Sequence, residues 1–237
     1  MLRRLLMAGA GAPPGPTDPN FSSVVSLLHF DGSNGSTTFT DQKGKSWSAT
    51  GGAALSTARQ KWGTASLLCD GAGDFISSAS NSDFNITQSG DFTVELWLNL
   101  TDKDNSDGNA ILCVGAASGY WQLLIRSNVF QINIRNSSGG AFSDLIASTT
   151  LVNDTWEHFA WVRSGTTYYL FRNGVQLSTT GSLPSTFTQA TFPTYIGANY
   201  TGGASSTGGY IDDVRITKGV ARYTANFTPP TAAFPDA

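Results

Sequence analysis

Charge is scarce in this sequence. Its 237 residues hold 14 Lys plus Arg and 17 Asp plus Glu, 13% in all, about half the share of an ordinary globular domain. A net charge of −3 with no basic run excludes nucleic acid or an anionic membrane as the main partner, because both are held by a basic face that releases counterions. Cysteine is nearly absent as well. Cys69 and Cys113 each sit in an apolar stretch, LLCD and ILCV, without the close spacing of a metal or redox motif. Two cysteines build no disulfide framework, and both read as reduced core residues, a single disulfide being the alternative. Histidine is limited to His29 and His158, and glutamate to Glu95 and Glu157. No apolar run approaches the roughly 18 residues that span a bilayer as a helix, so no membrane insertion is expected.

What is present is apolar and aromatic. Hydrophobic residues make up 40% of the chain and aromatic ones 11%, enough for a packed core and more than a disordered chain holds. A single all-β sandwich of about 200–250 residues is a common size, and no internal repeat or shift of composition divides the chain.

Residues 1–12, MLRRLLMAGAGA, have the outline of a signal peptide. The apolar stretch of Leu5, Leu6 and Met7 is shorter than the roughly 7 to 15 residues such a signal needs, so the segment is expected to be retained. Residues 8–20, AGAGAPPGPTDPN, are rich in Gly and Pro without periodicity, the composition of an extended linker. Residues 1–20 are therefore read as an arm that docks on a partner or a neighbouring copy, the plain alternative being a free tail. Residues 21–230 form one domain and 231–237 a short tail.

From Phe21 onward no apolar pattern follows helical spacing, while period-two, β-branched and aromatic runs recur between Gly, Asn, Asp and Ser clusters. Strands are expected near 24–30, 65–69, 74–77, 91–100, 110–115, 120–126, 129–135, 155–163, 166–172, 175–180, 193–198 and 209–217. That number implies two stacked sheets. In DFTVELWLNL at 91–100, Phe92, Val94, Leu96 and Leu98 share the core face, and Thr93, Glu95, Trp97 and Asn99 the other. Asn173-Gly174 between TYYLFR and VQLSTT predicts a type I′ hairpin.

Four segments in order carry a family resemblance: CDGAGDFI at 69–76, DFTVELWLNL at 91–100, TWEHFAWVRSGTTYYLFRNGVQL at 155–177 and GGYIDDVRITKGVARYTANFTPP at 208–230. Together they resemble the laminin G-like, concanavalin A-type jelly roll over about residues 24–230. The ending, with Arg222 and Tyr223 followed by NFTPP at 226–230, is similar to laminin G-like domains in proteins of tailed bacteriophage particles. The resemblance implies an all-β fold, a two-sheet antiparallel jelly-roll sandwich with an extended N-terminal arm. It implies little about activity, since the fold carries lectins, adhesion modules, structural domains and some glycosidases.

A glycosidase of this fold needs two carboxylates on one strand face, roughly 5 to 9 Å apart. Glu95 and Glu157 lie on different expected strands, and the family's Glu-x-Asp motif followed by Glu is absent. Asp91, in step with Glu95, follows Gly90 at a strand entrance, where it ends a turn. His29 and His158 fall within expected strands, with no Gly-x-Ser-x-Gly elbow before a helix and no adjacent ligands for zinc. No catalytic residue is assigned. Asp102, Asp104 and Asp107 imitate the start of an EF-hand loop but lack its Gly and its closing Glu, and read as a solvated hairpin loop. The Gly-rich TGGASSTGG at 201–209 precedes no helix and reads as a strand connection rather than a phosphate cradle.

One structural calcium ion is the metal expectation. Asp212 alternates with Tyr210, Val214 and Ile216, so its carboxylate is expected to point with them toward the core or its rim, where it must be paired or metal-bound. In related jelly rolls an Asp at this place joins first-strand residues around calcium, which implies Asp31 of HFDG as its companion, with carbonyls from 31–41. Pairing with an Arg, or capping of a turn, is the alternative. Glycan binding needs an exposed aromatic platform with polar partners. Trp97, opposite the core face, is the tryptophan best placed for exposure; Tyr120 and Trp121 follow the 115–119 loop; Asn199 and Tyr200, with Tyr195, frame the Gly-rich loop. These are the candidate glycan residues, with packing inside the sandwich the alternative for each aromatic.

The reading is a non-enzymatic structural or adhesion protein on the surface of a bacteriophage virion, as capsid decoration or as a tail-fibre or receptor-binding component. Residues 1–20 anchor it to other virion proteins, and a host-surface glycan is a further partner. Virion appendages are symmetric, so a homo-oligomer such as a trimer is expected. The alternative is a secreted, extracellular, calcium-dependent carbohydrate-binding lectin.

Overall fold

The computed structural model describes residues 17–86, 90–136, 142–184, 190–202 and 205–237. Residues 1–16 of the expected arm and 203–204 of the Gly-rich loop lie outside the described residues. The strands are β1 (Val24–Leu28), β2 (Ser48–Thr50), β3 (Ala54–Ser56), β4 (Ser66–Asp70), β5 (Phe75–Ser78), β6 (Phe92–Leu100), β7 (Asn109–Ala116), β8 (Gly119–Arg126), β9 (Val129–Arg135), β10 (Phe142–Ser148), β11 (Glu157–Ser164), β12 (Thr167–Arg172), β13 (Val175–Gln176), β14 (Thr180–Gly181), β15 (Thr194–Ile196) and β16 (Gly208–Lys218).

They form two antiparallel sheets. The first runs β13–β12–β11–β6–β16–β4–β3, with β1 also paired to β16; the second runs β14–β10–β9–β8–β7–β15–β5–β2. One apolar cluster binds the two, taking Leu96 and Leu98 of β6, Trp161 of β11 and Val214 of β16 from the first sheet, and Val114 of β7, Trp121 and Leu123 of β8 and Ile132 of β9 from the second. This is the all-β, two-sheet sandwich expected. Both cysteines are free and buried, Cys69 in the apolar cluster and Cys113 on the other face of β7.

Several elements differ from expectation. The strands β2, β3, β10 and β14 were not expected; β2, β3 and β14 are only two or three residues long, and β10, among its described residues, alternates only Leu145 and Ala147 into the core. The single strand expected at 175–180 is two pieces, because the chain leaves the first sheet after Gln176 and joins the second at Thr180. The largest consequence comes from β16. Between Asp212, opposite Trp97, and Arg215, opposite Glu95, an extra residue enters the ladder. Asp213 takes a left-handed φ of 50° there, the conformation that a G1-type bulge uses. The bulge falls where the partner on the other edge of β16 changes from β4 to β1. Side-chain parity flips across it, so Ile211, Val214 and Ile216 face the core while Asp212 faces outward beside Trp97.

The Asn173-Gly174 hairpin forms as expected, with φ of 50° and 75°, joining β12 to β13. It also carries a contact. The amide of Phe227, in the C-terminal segment, donates to the Gly174 carbonyl over 2.9 Å, and a Cβ on Gly174 would run into the Phe227 carbonyl. Gly165, in the β11–β12 turn, has a φ of 59° with open space around it. Gly165→Ala is therefore expected to cost the left-handed strain alone, about 1–2 kcal/mol. Gly174→Ala is expected to cost distinctly more, because the C-terminal segment must shift too. Urea unfolding of the two variants checks the order, and equal losses would contradict it.

Candidate functional site

The outer face of the first sheet is covered by the chain itself. Glu95, in the middle of β6, is fully buried and accepts from Arg215 Nη2 at 2.7 Å, Arg215 Nε at 3.0 Å and Tyr223 Oη at 2.9 Å. His158 Nε2 lies 3.3 Å from its Oε2. Asp18, from the N-terminal approach, accepts from Arg222 Nη2 at 2.6 Å, Arg222 Nη1 at 3.0 Å and Arg215 Nη1 at 3.2 Å. Two carboxylates thus face two guanidiniums, a balanced set without which each charge would be unpaired in a buried place. Burial alone would raise the Glu95 pKa, but Arg215, His158 and Arg222 together hold it at about 2. Burial opposes the charge of Asp18 as well, and its bonds to Arg222 and Asn20 keep its pKa below the ordinary value.

This cluster ties down both ends of the domain. The Asp18 amide donates to the Ala237 carbonyl over 2.8 Å. Phe234 lies under Val24 and Leu27, 3.8 Å from the Arg215 guanidinium, and its amide donates to Asp213 Oδ2 over 2.8 Å. Asp213 Oδ1 meets His29 Nδ1 at 2.6 Å. Tyr223 and Phe227 stack at 3.6 Å over an outer apolar patch of Ala160, Val162 and Phe171.

The β3–β4 loop, residues 57–65, covers much of the remainder. Arg59 pairs with Asp154 and reaches Asn99. The amides of Lys61 and Trp62 donate to Asp212 Oδ2 over 2.7 and 3.1 Å. Lys61 Nζ sits 3.9 Å over the Trp97 ring, and Trp62 meets that ring edge-on. Trp97 is accordingly only 5% exposed, against the expectation of an exposed platform. Asp212 caps this loop; burial pushes its pKa up to about 7 against the opposing pull of the Trp62 and Lys61 amides. Asp31, exposed, accepts from the amide and hydroxyl of Thr64 at the far end of the same loop. Among the described residues no group of three or more His, Cys, Asp or Glu is arranged to hold a metal ion. The one carboxylate oxygen of this pair that is buried without a hydrogen-bond partner is Asp212 Oδ1.

The outer face of the second sheet is built differently. Ser77 of β5, Tyr195 of β15, Cys113 of β7, Gln122 of β8, Asn133 of β9 and Asp144 of β10 stand in register as one row across it. Tyr120, two residues before Gln122, is opposite Arg135. The Tyr200 ring lies 5.1 Å from that of Tyr120, tilted by 30°, and Tyr195 packs edge-on against Phe75. All three tyrosines are half-buried. Asn199 builds the turn that carries Tyr200, its Oδ1 accepting from the amide and hydroxyl of Thr201 at 2.9 and 2.6 Å. Burial, with Tyr200 and Cys113 nearby, raises the Tyr120 pKa, so its phenol stays neutral and able to donate.

Of the sequence candidates, the fold brings Tyr120, Asn199 and Tyr200 together. Trp121 is a correction. It shares parity with Leu123 and Ile125, lies wholly in the core, and its Nε1 donates to the Phe84 carbonyl at 3.4 Å. Gln122, Asn133 and Asp144 were missed; amides in the middle of apolar runs such as WQLL and INI were the available signal. The Glu95–Arg215 pair was signalled in the same way by single charges inside VELWL and VRIT.

Residues 70–222 match the family described as the concanavalin A-like lectin/glucanases superfamily, in a laminin G type. The chain belongs to this superfamily. No curated protein sequence matches it. Among solved structures, domain 4 of AbnA, an extracellular arabinanase from Geobacillus stearothermophilus, solved in complex with arabinotriose, is similar at 17% identity and a TM-score of 0.63, over 84% of this chain and 94% of that one. The binding domain of Paraclostridial Mosquitocidal Protein 1 is similar at 14% identity and a TM-score of 0.62, over 84% and 49%. The ligand-binding domain of botulinum neurotoxin serotype D, solved with N-acetylneuraminic acid, is similar at 15% identity and a TM-score of 0.60, over 88% and 49%. The chain spans about half the length of these toxin domains. At such identities the superfamily likeness is one of fold.

The buried ion cluster has a pH signature. A carboxylate with a depressed pKa adds stability above its unfolded value, here 4.5, and loses it as the pH falls toward about 2. Glu95→Gln is expected to lower stability at pH 7 by about 3–5 kcal/mol, as when one partner of a buried pair is removed, and to flatten the fall between pH 4.5 and 2. Guanidinium unfolding across that range reads both effects. An unchanged acid limb would show that Glu95 is not the titrating group.

Proposed function

We propose that the protein is a non-catalytic glycan-binding module displayed on the outside of a bacteriophage particle. The observation that carries the reading is the contrast between the two outer faces. The first sheet is covered by the terminal segments and the 57–65 loop, while the second carries half-buried tyrosines over the largely buried amides Gln122 and Asn133, a mixture of ring surface and polar groups that suits sugar rings and their hydroxyls. Both glutamates support the absence of catalysis: Glu95 is locked between arginines and Glu157 is paired with Arg172, so neither is free to move a proton. The bacteriophage setting rests on the similarity of residues 222–230 to laminin G-like domains of tailed phage particles. The chain enters the domain at Asp18 on the first-sheet side, so a particle gripping residues 1–16 leaves the tyrosine face pointing away from it. A homo-oligomer such as a trimer belongs to this reading. A secreted lectin is the second reading, favoured by the likeness to a domain of an extracellular arabinanase solved with arabinotriose.

Two measurements test these readings. In the first, the intact chain and one lacking residues 1–16 are compared on particles from the source and on a glycan array; the deletion stops there because Asp18 belongs to the buried cluster. Particle binding that depends on the arm, with glycan binding that survives its loss and falls about tenfold in Tyr120→Ala and Tyr200→Ala, is the expected result. Glycan binding without particle binding favours the secreted lectin, and an array without any hit removes the glycan role. In the second, calcium is titrated calorimetrically into the chain and into Asp212→Asn. Calcium at Asp31 and Asp212 would draw most of its six to eight oxygens from carbonyls and water. Heat and a higher melting temperature, both lost in the variant, are expected; no heat and no effect of EDTA remove calcium from the reading and leave the glycan face untouched.

A further inference from the structure

Gln122 occupies the centre of the second sheet's outer face, on β8 between β7 and β9, a place where a β-branched or aromatic residue is the ordinary choice. Its Nε2 donates to Asn133 Oδ1 over 3.1 Å. Its Oε1 is buried and has no hydrogen-bond partner, although the residue is only 8% exposed. Turning both amides over would leave Nε2 unpartnered in place of Oε1, so one polar atom of Gln122 is orphaned either way. Such an atom costs about 1–3 kcal/mol, and it lies in a row whose next members, Asn133 and Asp144, are polar, with Tyr120 two residues away on the same face.

We infer that Gln122 is the specificity-determining residue of this face and that its unpaired atom is reserved for a hydroxyl of a pyranose ring. The inference rests on the glycan reading given above. A hydroxyl both donates and accepts, so it satisfies Gln122 whichever way the amide is turned. The tyrosines supply apolar contact that every sugar ring accepts, and so discriminate little. The amide discriminates, because a ring lacking that one hydroxyl leaves the buried atom unpaired, and a site built around a polar partner rejects such an analogue far more strongly than an apolar pocket rejects a change in size.

The test uses the full chain with methyl glucoside, galactoside and mannoside, each compared with its monodeoxy analogues by NMR titration. Wild type is expected to bind at least one parent glycoside, to lose about tenfold or more for one deoxy analogue, and to show the Gln122 side-chain NH₂ signals moving on saturation. Gln122→Met, similar in length and free of polar atoms, replaces the orphaned Gln122 atom with an Asn133 Oδ1 that has lost its donor, and is expected to bind parent and deoxy analogue equally. Binding of a parent glycoside with unmoved Gln122 signals, or discrimination that persists in Gln122→Met, overturns the role of Gln122 and leaves the glycan reading standing. No binding of any glycoside at millimolar concentration overturns both. The side-chain signals are read in the wild-type protein, so the inference stays falsifiable if the variant fails to fold.

Discussion

Glu95, Arg215, Arg222 and Asp18 come from parts of the chain up to 204 residues apart, yet none is tolerable in the interior without the others. Desolvating a carboxylate or a guanidinium is costly, and the attraction between them offsets it only when all are present in good geometry. Their assembly requires the N-terminal approach, β6, β16 and the segment after Lys218 to be in place together. It therefore fixes which sheet face is covered: with Asp18 and Arg222 seated over Glu95, Phe234, Tyr223 and Phe227 are drawn over the same sheet. The second sheet's outer face keeps half-buried tyrosines around the buried Gln122 and Asn133.

The bulge at Asp212 and Asp213 is the local device that makes this possible. Without the extra residue, regular alternation would put Asp212 and Arg215 on opposite faces, so one of the two charges would fall on the core side, where it has no partner. With it, β16 presents apolar residues inward on both sides of the irregularity, and its polar residues meet Trp97, Glu95 and His29 on the outside. The left-handed conformation of Asp213, a strained choice for a residue with a side chain, is held by its two bonds to His29 and Phe234.

Much of the fold was legible because alternation is a local signal. β6, β8, β9, β11 and the Asn173-Gly174 hairpin announce themselves within a few residues, and their order carried the family resemblance. Trp97 and Asp212 mark where that signal ends. Alternation says that Trp97 faces away from the core but not that Lys61 and Trp62 will cover it, which depends on a loop anchored to another strand. For Asp212, one inserted residue reversed the parity. The row from Tyr195 to Asp144 was illegible for a related reason. Cys113 reads as core, Gln122, Asn133 and Asp144 each look like a stray polar residue in their own strand, and only the register between five neighbouring strands aligns them with Tyr195. Trp121 was the avoidable error, since its parity with Leu123 and Ile125 already placed it in the core.

The scarcity of charge takes on a meaning once the faces are assigned. Many of the ionic groups placed inside the protein are absorbed in holding its termini and loops, and the second sheet's outer face sets phenols and amides beside Asp144 and Arg135. The phenols and amides exert no long-range pull, so any electrostatic steering to this face comes from charged neighbours such as Asp144 and Arg135 and weakens with salt. On the proposed glycan reading, affinity for a single sugar would rest on ring contacts and a few short hydrogen bonds, the kind of interaction that distinguishes one hydroxyl from another but holds weakly. A weak, discriminating site becomes effective when many copies act on one surface, because the effective concentration of linked sites multiplies modest affinities. Display of the domain in many copies on a particle would supply that multiplication without any added contact on the tyrosine face.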